Sequence, residues 1–424
     1  MRRLWSLLVL VLMLACTFTS LALAEPQRPI SVLVDGLPVT FDVQPFIQNG
    51  RTLVPFRAIA EALNVKVTWD GKTRIVSATD GKTAVRLQIG NKTAYRNDAP
   101  VPLDVPPVIL GERMLIPVRF FAEAFACNVD WDAPAGVVRI VSPPKEITVV
   151  GFYALGDSDT SSWANLFGRP YPETDTGNTD VISEIALGWY SLDKDGVLLT
   201  RSRTGWQRPD GWEDVLRAAG KFNLETEMVV HVTDGDGTVS SLLASEAAMT
   251  GAVRAITQEA KRYDGINLDF EGLGYQDTGE PLGLVQREFT AFVRLLSEQA
   301  RASGLGLTLT LHAPNSAYKG YDYKALGDRA DRIVVMAYDY GSKPEPVSLV
   351  AQAMEMAKAL VPPEKLVLGI SAPAETAESI PAKVGIVKRY GLGGIALWRL
   401  GVITDGMWKA LRDTVRARRV ASPE

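Results

Sequence analysis

The chain has 424 residues, of which 46% are hydrophobic and 22% charged, and its formal net charge is −4. That is an ordinary globular composition, long enough for two or three domains. The mild acidity gives no reason to expect nucleic-acid binding.

Arg2 and Arg3 precede an apolar run, residues 4–15, that is too short for an ordinary membrane span. Ala22-Leu23-Ala24 then offers a small-residue cleavage site before Glu25. Residues 1–24 therefore read as a secretory signal peptide, with a permanent N-terminal anchor as the alternative. The mature chain is expected to be secreted, or associated with the cell wall or cell surface, with no transmembrane segment. Met13 and Leu14 make a poor lipobox for Cys16. Cys16 leaves with the leader, so Cys127 has no intrachain partner and no disulfide holds the mature fold. Cys127 follows a helix-like run, 120–126, which predicts a small buried apolar role.

An internal repeat follows. Residues 51–62 (RTLVPFRAIAEA) are echoed by 113–124 (RMLIPVRFFAEA). Each copy reaches a Trp-Asp pair, Trp69-Asp70 and Trp131-Asp132, and ends in a β-like run, 74–77 and 137–141. The predicted unit is a short strand, a proline opening a helix, and further strands. Asn64 and Asn128 are the expected helix C-terminal residues. Trp69 and Trp131 are expected in the core. Residues 30–142 resemble the copper amine oxidase N-terminal-like stalk domain. The name implies no copper here, because the region has no histidine and one cysteine. Wall attachment and a ligand-free folded spacer both stay open for it.

Residues 142–145 (SPPK) read as a short stiff linker. Beyond it, strand-like runs are predicted at 147–152, 184–189, 227–232, 265–270, 305–312, 332–338, 366–370 and 394–398. The clearest helices are 245–263, 284–303 and 347–360, with apolar residues at three- and four-residue spacing. Gly304 is a fitting terminator for the second. Eight strands with helical crossovers over about 270 residues predict an α/β fold, a (β/α)8 TIM barrel over 147–416 preceded by a small α+β repeat domain. A doubly wound sheet is disfavoured, since no glycine-rich phosphate loop follows the first strand.

The most informative stretch is residues 263–271, YDGINLDFE. Strand alternation sends Asn267, Asp269 and Glu271 to one face and Ile266, Leu268 and Phe270 to the other. Three polar groups on one face of a buried strand promise the fold no stability, so chemistry is the expected explanation. In a barrel that chemistry gathers at the C-terminal strand ends. The sixth strand ends in Met336-Ala337-Tyr338-Asp339-Tyr340 and the eighth in Ala396-Leu397-Trp398-Arg399, while His231 and His312 close the third and fifth. Two carboxyls and aromatics in one mouth point to glycoside hydrolysis. Burial and the charge of Asp269 are expected to raise the pKa of Glu271 so that it can act as an acid.

The run 264–271 resembles the signature of glycoside hydrolase family 18, the chitinase-like and spore-cortex N-acetylglucosaminidase-like enzymes. Met336-Ala337-Tyr338-Asp339 and Trp398 are similar to that family's sixth- and eighth-strand motifs. The resemblance implies substrate-assisted retaining catalysis. Glu271 would be the acid and then the base. Asp269 would orient the acetamide N–H of an N-acetylglucosamine unit, whose oxygen is the nucleophile, and Tyr338 would hydrogen-bond that oxygen. Asn267, Met336, Asp339 and Trp398 would bind substrate, with Trp398 as the floor. The implied partner is an N-acetylglucosamine-containing polysaccharide: peptidoglycan, spore cortex or a chitin-like glycan. Neither a cofactor nor a metal is expected.

Two departures matter. Asn267 stands where many chitinases carry aspartate. It cannot share a proton with Asp269, so Asp269 is expected to stay ionised longer. Only residues 372–379 lie between the seventh strand and the next helix, too few for an α+β insertion, so the cleft should be shallow and open. Loop tryptophans Trp163, Trp206 and Trp212 would extend the cleft or anchor loops. A metal-dependent hydrolase using His231, His312 and Asp234 or Asp236 lacks the usual ligand spacing. The run 233–237 falls short of a calcium loop. A non-catalytic glycan-binding protein on the same fold is the remaining alternative; Glu271 argues against it.

Overall fold

The structure is a computed structural model that describes residues 29–154, 161–202 and 205–419. The expected signal peptide lies outside these residues. Among them, no helix is long and apolar enough to cross a membrane.

Both repeats fold alike. Strand Arg51–Pro55 runs into helix Phe56–Ala62, and strand Arg113–Pro117 into helix Val118–Ala124. The two strands pair antiparallel, Val54 opposite Ile116. Phe56 and Phe121 meet edge to face at 5.1 Å and, with Ile59 and Ala122, form the shared core. Cys127 is buried beside it, and burial pushes its thiol up to about 12. Each helix closes with the same pair of backbone bonds: Asn64 N–H to Glu61 and Val65 N–H to Ala60, then Ala126 N–H to Glu123 and Cys127 N–H to Ala122. The left-handed residues are thus Asn64 (φ 55°) and Ala126 (φ 60°). Asn128 does not end the second helix; it opens strand Asn128–Asp132. The register of the repeat, rather than the asparagine, fixes the turn.

Trp69 also departs from expectation. It is 48% exposed, because its strand, Lys66–Asp70, is the edge of a five-stranded sheet. Its counterpart Trp131 is half-buried against the core.

The linker is not a free spacer. Asp35 accepts hydrogen bonds from the N–H (2.8 Å) and Oγ (2.7 Å) of Ser142, and Lys388 Nζ lies 3.7 Å away. Arg389 donates to the carbonyls of Leu37 and Pro38. A Cβ at Gly385 would lie 2.3 Å from the Asp35 carbonyl oxygen, so only glycine admits this approach. The repeat region is clamped to helix Ile380–Tyr390 of the barrel.

Eight parallel strands close the barrel: β1 (Lys145–Tyr153), β2 (Glu184–Leu192), β3 (Glu225–Thr233), β4 (Gly265–Glu271), β5 (Gly306–His312), β6 (Arg332–Met336), β7 (Leu366–Ser371) and β8 (Gly394–Trp398). Closure comes from β1 pairing both β2 and β8. β6 stops two residues short of the predicted end, because the chain turns and Asp339 adopts φ 65°. Helix Glu246–Glu259 is capped by Ser245 Oγ, and helix Gly279–Ala302 begins earlier than predicted and ends before Gly304 at φ 71°. After β7 come one short turn, Ala372–Ala374, and then helix Ile380–Tyr390, with no insertion.

Alternation sorts the strands as expected. Ile266, Leu268 and Phe270 join the large core between sheet and helices. Val150, Phe152, Val229, Val334, Val367 and Ala396 pack inside the barrel. Below the mouth the interior is polar. Arg332 donates to both oxygens of Glu184 and, at 2.7 Å, to Glu227. Thr308 donates to Glu227. Asn267 donates to Glu227 (2.9 Å) and accepts from Thr310 (2.8 Å). Burial and the neighbouring Glu227 push Glu184 up to about 7, against the pull of Arg332. Part of the polar face of β4 is therefore structural, contrary to the expectation drawn from alternation alone.

Removing the cation should expose the cost of this layer. Arg332→Met leaves Glu184 and Glu227 buried together, and should destabilise the fold by ~3–5 kcal/mol in chemical denaturation.

Candidate active site

β4 carries three polar residues to three depths. Asn267 is fully buried and its amide is spent on Glu227 and Thr310. It does not line the cleft, so the substrate-binding role expected for it is corrected to a structural one. One layer up, Asp269 is 4% exposed, and its Oδ1 has no hydrogen-bond partner among the described residues. At the strand end the Glu271 side chain is 30% exposed.

The neighbouring strands put a histidine on each side of that glutamate. β3 pairs in parallel with β4 and sets His231 beside Asp269. His231 Nε2 lies 3.2 Å from Glu271 Oε1. From β5, His312 Nε2 lies 3.8 Å from Glu271 Oε2, too far for a hydrogen bond. The His312 ring stacks on Tyr318 at 4.1 Å, and Tyr318 packs against Tyr275 at 5.2 Å. These aromatics, with Asp234, Asp277 and Gly272, line a recess of about 440 Å³ beside Glu271. Both histidines were visible at strand ends in the sequence; their signal was strand adjacency to β4, which a metal-ligand search does not use.

This surrounding inverts the expected electrostatics. Burial, then the charge of Glu271, pushes Asp269 up to about 8, with His231 opposing. Burial also raises Glu271, but the hydrogen bond and charge of His231 outweigh it and hold Glu271 below its ordinary value. His231 is raised in turn: its bond to Glu271 and the two carboxyl charges overcome burial. Burial lowers His312. These opposed shifts favour the protonated form at Asp269 and the ionised form at Glu271. Asp269 is not kept ionised by Asn267, because that amide is turned to Glu227 and Thr310.

The far wall comes from β6 and β8. The Tyr338 ring packs over the backbone of Gly369. Burial, then the charges of Asp269, Glu271 and Asp339, holds its hydroxyl well above the usual range. Met336 is buried beneath. Burial and the charges of Glu345 and Glu271 raise Asp339. Trp398 is half-buried, edge to face with Phe152 (5.4 Å) and Trp206 (5.7 Å). Trp206 thus joins the cleft. Trp163 does not: it is 4% exposed in the core, with Nε1 bonded to the Glu173 carbonyl. Trp212 packs against the core beneath Arg208.

One donor atom each of His231, Asp269 and Glu271 falls within 4.8 Å of the others. A cation there would have to displace the His231–Glu271 hydrogen bond. Asp234 accepts from the N–H and Oγ of Ser240, Asp236 Oδ1 accepts from the N–H and Oγ of Thr238, and neither aspartate joins the His231 grouping among the described residues.

Residues 33–140 match the copper amine oxidase N-terminal domain, and residues 236–377 match glycosyl hydrolases family 18. Among curated proteins, the putative sporulation-specific glycosylase YdhD of Bacillus subtilis (strain 168) is 30% identical over 144 residues, 31% of this chain and 32% of that protein. The cortical fragment-lytic enzyme of Bacillus anthracis is 22% identical over 244 residues, 41% of this chain and 55% of that enzyme. The chain thus spans between a third and about half of the length of these relatives. Among solved structures, a chitinase from Chromobacterium violaceum superposes with a TM-score of 0.52 at 21% identity, covering 63% of this chain and 98% of that one. The Bacillus cereus spore cortex-lytic enzyme SleL gives 0.52 at 17%, covering 66% and 77%. These likenesses establish the barrel fold.

A carboxyl held near pH 8 is protonated in the folded state and ionised in the unfolded chain between about pH 4 and 8. Folding then takes up a proton, so this group's contribution to stability falls as pH rises through that window. Asp269→Asn removes the burden. Its thermal midpoint should exceed wild type, with a gain that is small near pH 4 and widens toward pH 8. A gain independent of pH would contradict the shift.

Proposed function

We propose that the protein is a secreted glycoside hydrolase that cleaves β-1,4 bonds after N-acetylglucosamine in peptidoglycan or spore cortex. The observation that carries this reading is the buried, unpartnered Oδ1 of Asp269 beside Glu271 at the barrel mouth. An unsatisfied buried acceptor costs stability unless a ligand completes it. An acetamide N–H is a donor of the right kind.

The chemistry then follows from where the proton rests. The glycan's N–H donates to Asp269 and favours its ionised form. The proton passes to Glu271, which gives it to the leaving glycosidic oxygen. The acetamide oxygen attacks the anomeric carbon, and Tyr338 hydrogen-bonds it. Glu271, now a base, takes a proton from the water that opens the ring intermediate. Positive charge on the intermediate is met by Asp269. Trp398 lies under the distorted sugar, and Met336 and Asp339 bound the pocket.

The choice of polymer rests on two supports. The segment 372–379 adds no wall to the cleft, which suits a branched or cross-linked glycan. One relative is named as a sporulation-specific glycosylase and another as a cortical fragment-lytic enzyme. Secretion rests on the leader-like residues 1–24. The repeat region, clamped on the barrel, would hold the cleft at a fixed distance from any wall surface it contacts.

The test offers the purified mature chain peptidoglycan, cortex-type muropeptides and chitin, with products read by mass spectrometry. Products ending in a reducing N-acetylglucosamine from peptidoglycan or cortex are expected, unaffected by EDTA. Glu271→Gln should lower turnover by roughly 10²–10⁴-fold, the usual worth of an acid-base group, and keep glycan binding. Binding without any product would instead mark a glycan-binding protein, and chitin-only cleavage would overturn the polymer assignment.

A further inference from the structure

The loop after β6 carries Tyr338 and Asp339, and its shape is not set by regular structure. Asp339 is a non-glycine residue at φ 65°, a conformation that persists only where surroundings impose it. One side chain stands out among those surroundings. The two carboxylate oxygens of Glu345 accept the backbone N–H of Asp339 (2.9 Å) and of Tyr340 (3.1 Å). Glu345 is only 4% exposed.

Glu345 is itself held from the next barrel unit. Lys383, 2% exposed on helix Ile380–Tyr390, donates to the Glu345 carbonyl oxygen at 2.8 Å. Its ammonium pairs with Glu375 at 3.0 Å, and Ser379 Oγ holds that carboxylate too. Glu375 comes from the short 372–379 segment. On the other flank Tyr340 donates to Asn315 Oδ1 at 2.8 Å, tying the loop to the one after β5. Buried ions and ion pairs are poor sources of stability, because desolvation offsets their attraction. Their use here is geometric.

We propose that Glu345 is a positioning residue for the substrate pocket: its buried carboxylate fixes the backbone that presents Tyr338 and Asp339, and Lys383 with Glu375 fixes Glu345. The inference rests on the hydrolase reading of the site and extends it to residues that touch no reacting atom. Asp339 is faced by Glu345 and Lys343 on its own loop and by Glu271 from β4. Glu345 is the larger of the two acidic neighbours that raise it, so neutralising Glu345 lets Asp339 ionise at lower pH.

The test compares wild type with E345Q and E345D. The amide of E345Q keeps one acceptor and turns a donor toward the second N–H. A displacement of about 1 Å can cost about 10²-fold, so kcat/KM should fall roughly 10–100-fold with the thermal transition still cooperative. The Asp339 carboxyl, followed by carbon-13 NMR, should titrate at lower pH than in wild type. E345D keeps the charge but reaches only one N–H; its activity should be intermediate and its Asp339 titration close to wild type. E345Q within about threefold of wild type, with an unmoved Asp339 titration, overturns the inference. If E345Q does not fold, wild-type activity in E345D overturns it. If wild type hydrolyses no glycan, the functional reading fails. Calorimetric binding of chitotetraose in the E271Q background then decides the inference: E345Q should weaken binding about tenfold, and unchanged binding would overturn it.

Discussion

Closure of the eight-stranded sheet removes water from the barrel interior. Every inward polar side chain must then find a partner inside the barrel or at its mouth. β4 meets this constraint at three heights. Asn267 is low enough to join Glu227 and Thr310 in the layer ordered by Arg332. Glu271 is high enough to meet His231 and partial solvent. Asp269, between them, has neither remedy for Oδ1. Burial and the charge of Glu271 therefore favour its protonated form.

The histidines complete this logic. A carboxyl pair two residues apart on one strand cannot both ionise cheaply in a desolvated site. His231 decides which of them does, by bonding to Glu271. The site is thus poised with its proton one position away from where the proposed chemistry needs it. A ligand donor at Asp269 would supply the bias to move it. His312, Tyr318 and Tyr275 beside Glu271, and Trp398 with Trp206 at the end of β8, supply the aromatic surface of the cleft.

Much of this was legible from residue order. The period-two alternation of 265–271 is strict, and eight apolar runs separated by helical spacing leave few folds besides a closed barrel. The two copies of the repeat predicted their own strand–helix–strand plan. What could not be read depended on pairing across distant segments. Asn267 is structural because Glu227 and Thr310, from β3 and β5, face it. The reversal of Asp269 and Glu271 needs the parallel register of β3 on β4, which sets His231 in place. Trp69 is exposed because its strand falls at a sheet edge, and sheet order is not written in one repeat. Glu345 gave no signal, since a glutamate in a polar loop resembles any solvated residue until Lys383 and Glu375 are folded over it.

Before substrate binds, the proton is expected on Asp269 rather than on Glu271. Carbon-13 NMR of protein labelled at aspartate side-chain carboxyls, with Asp269→Asn to assign the signal, reads that proton directly. The signal should titrate near pH 8 and shift toward the ionised form when an N-acetylglucosamine oligomer is added. A signal that titrates near pH 4 and ignores the oligomer would contradict the account.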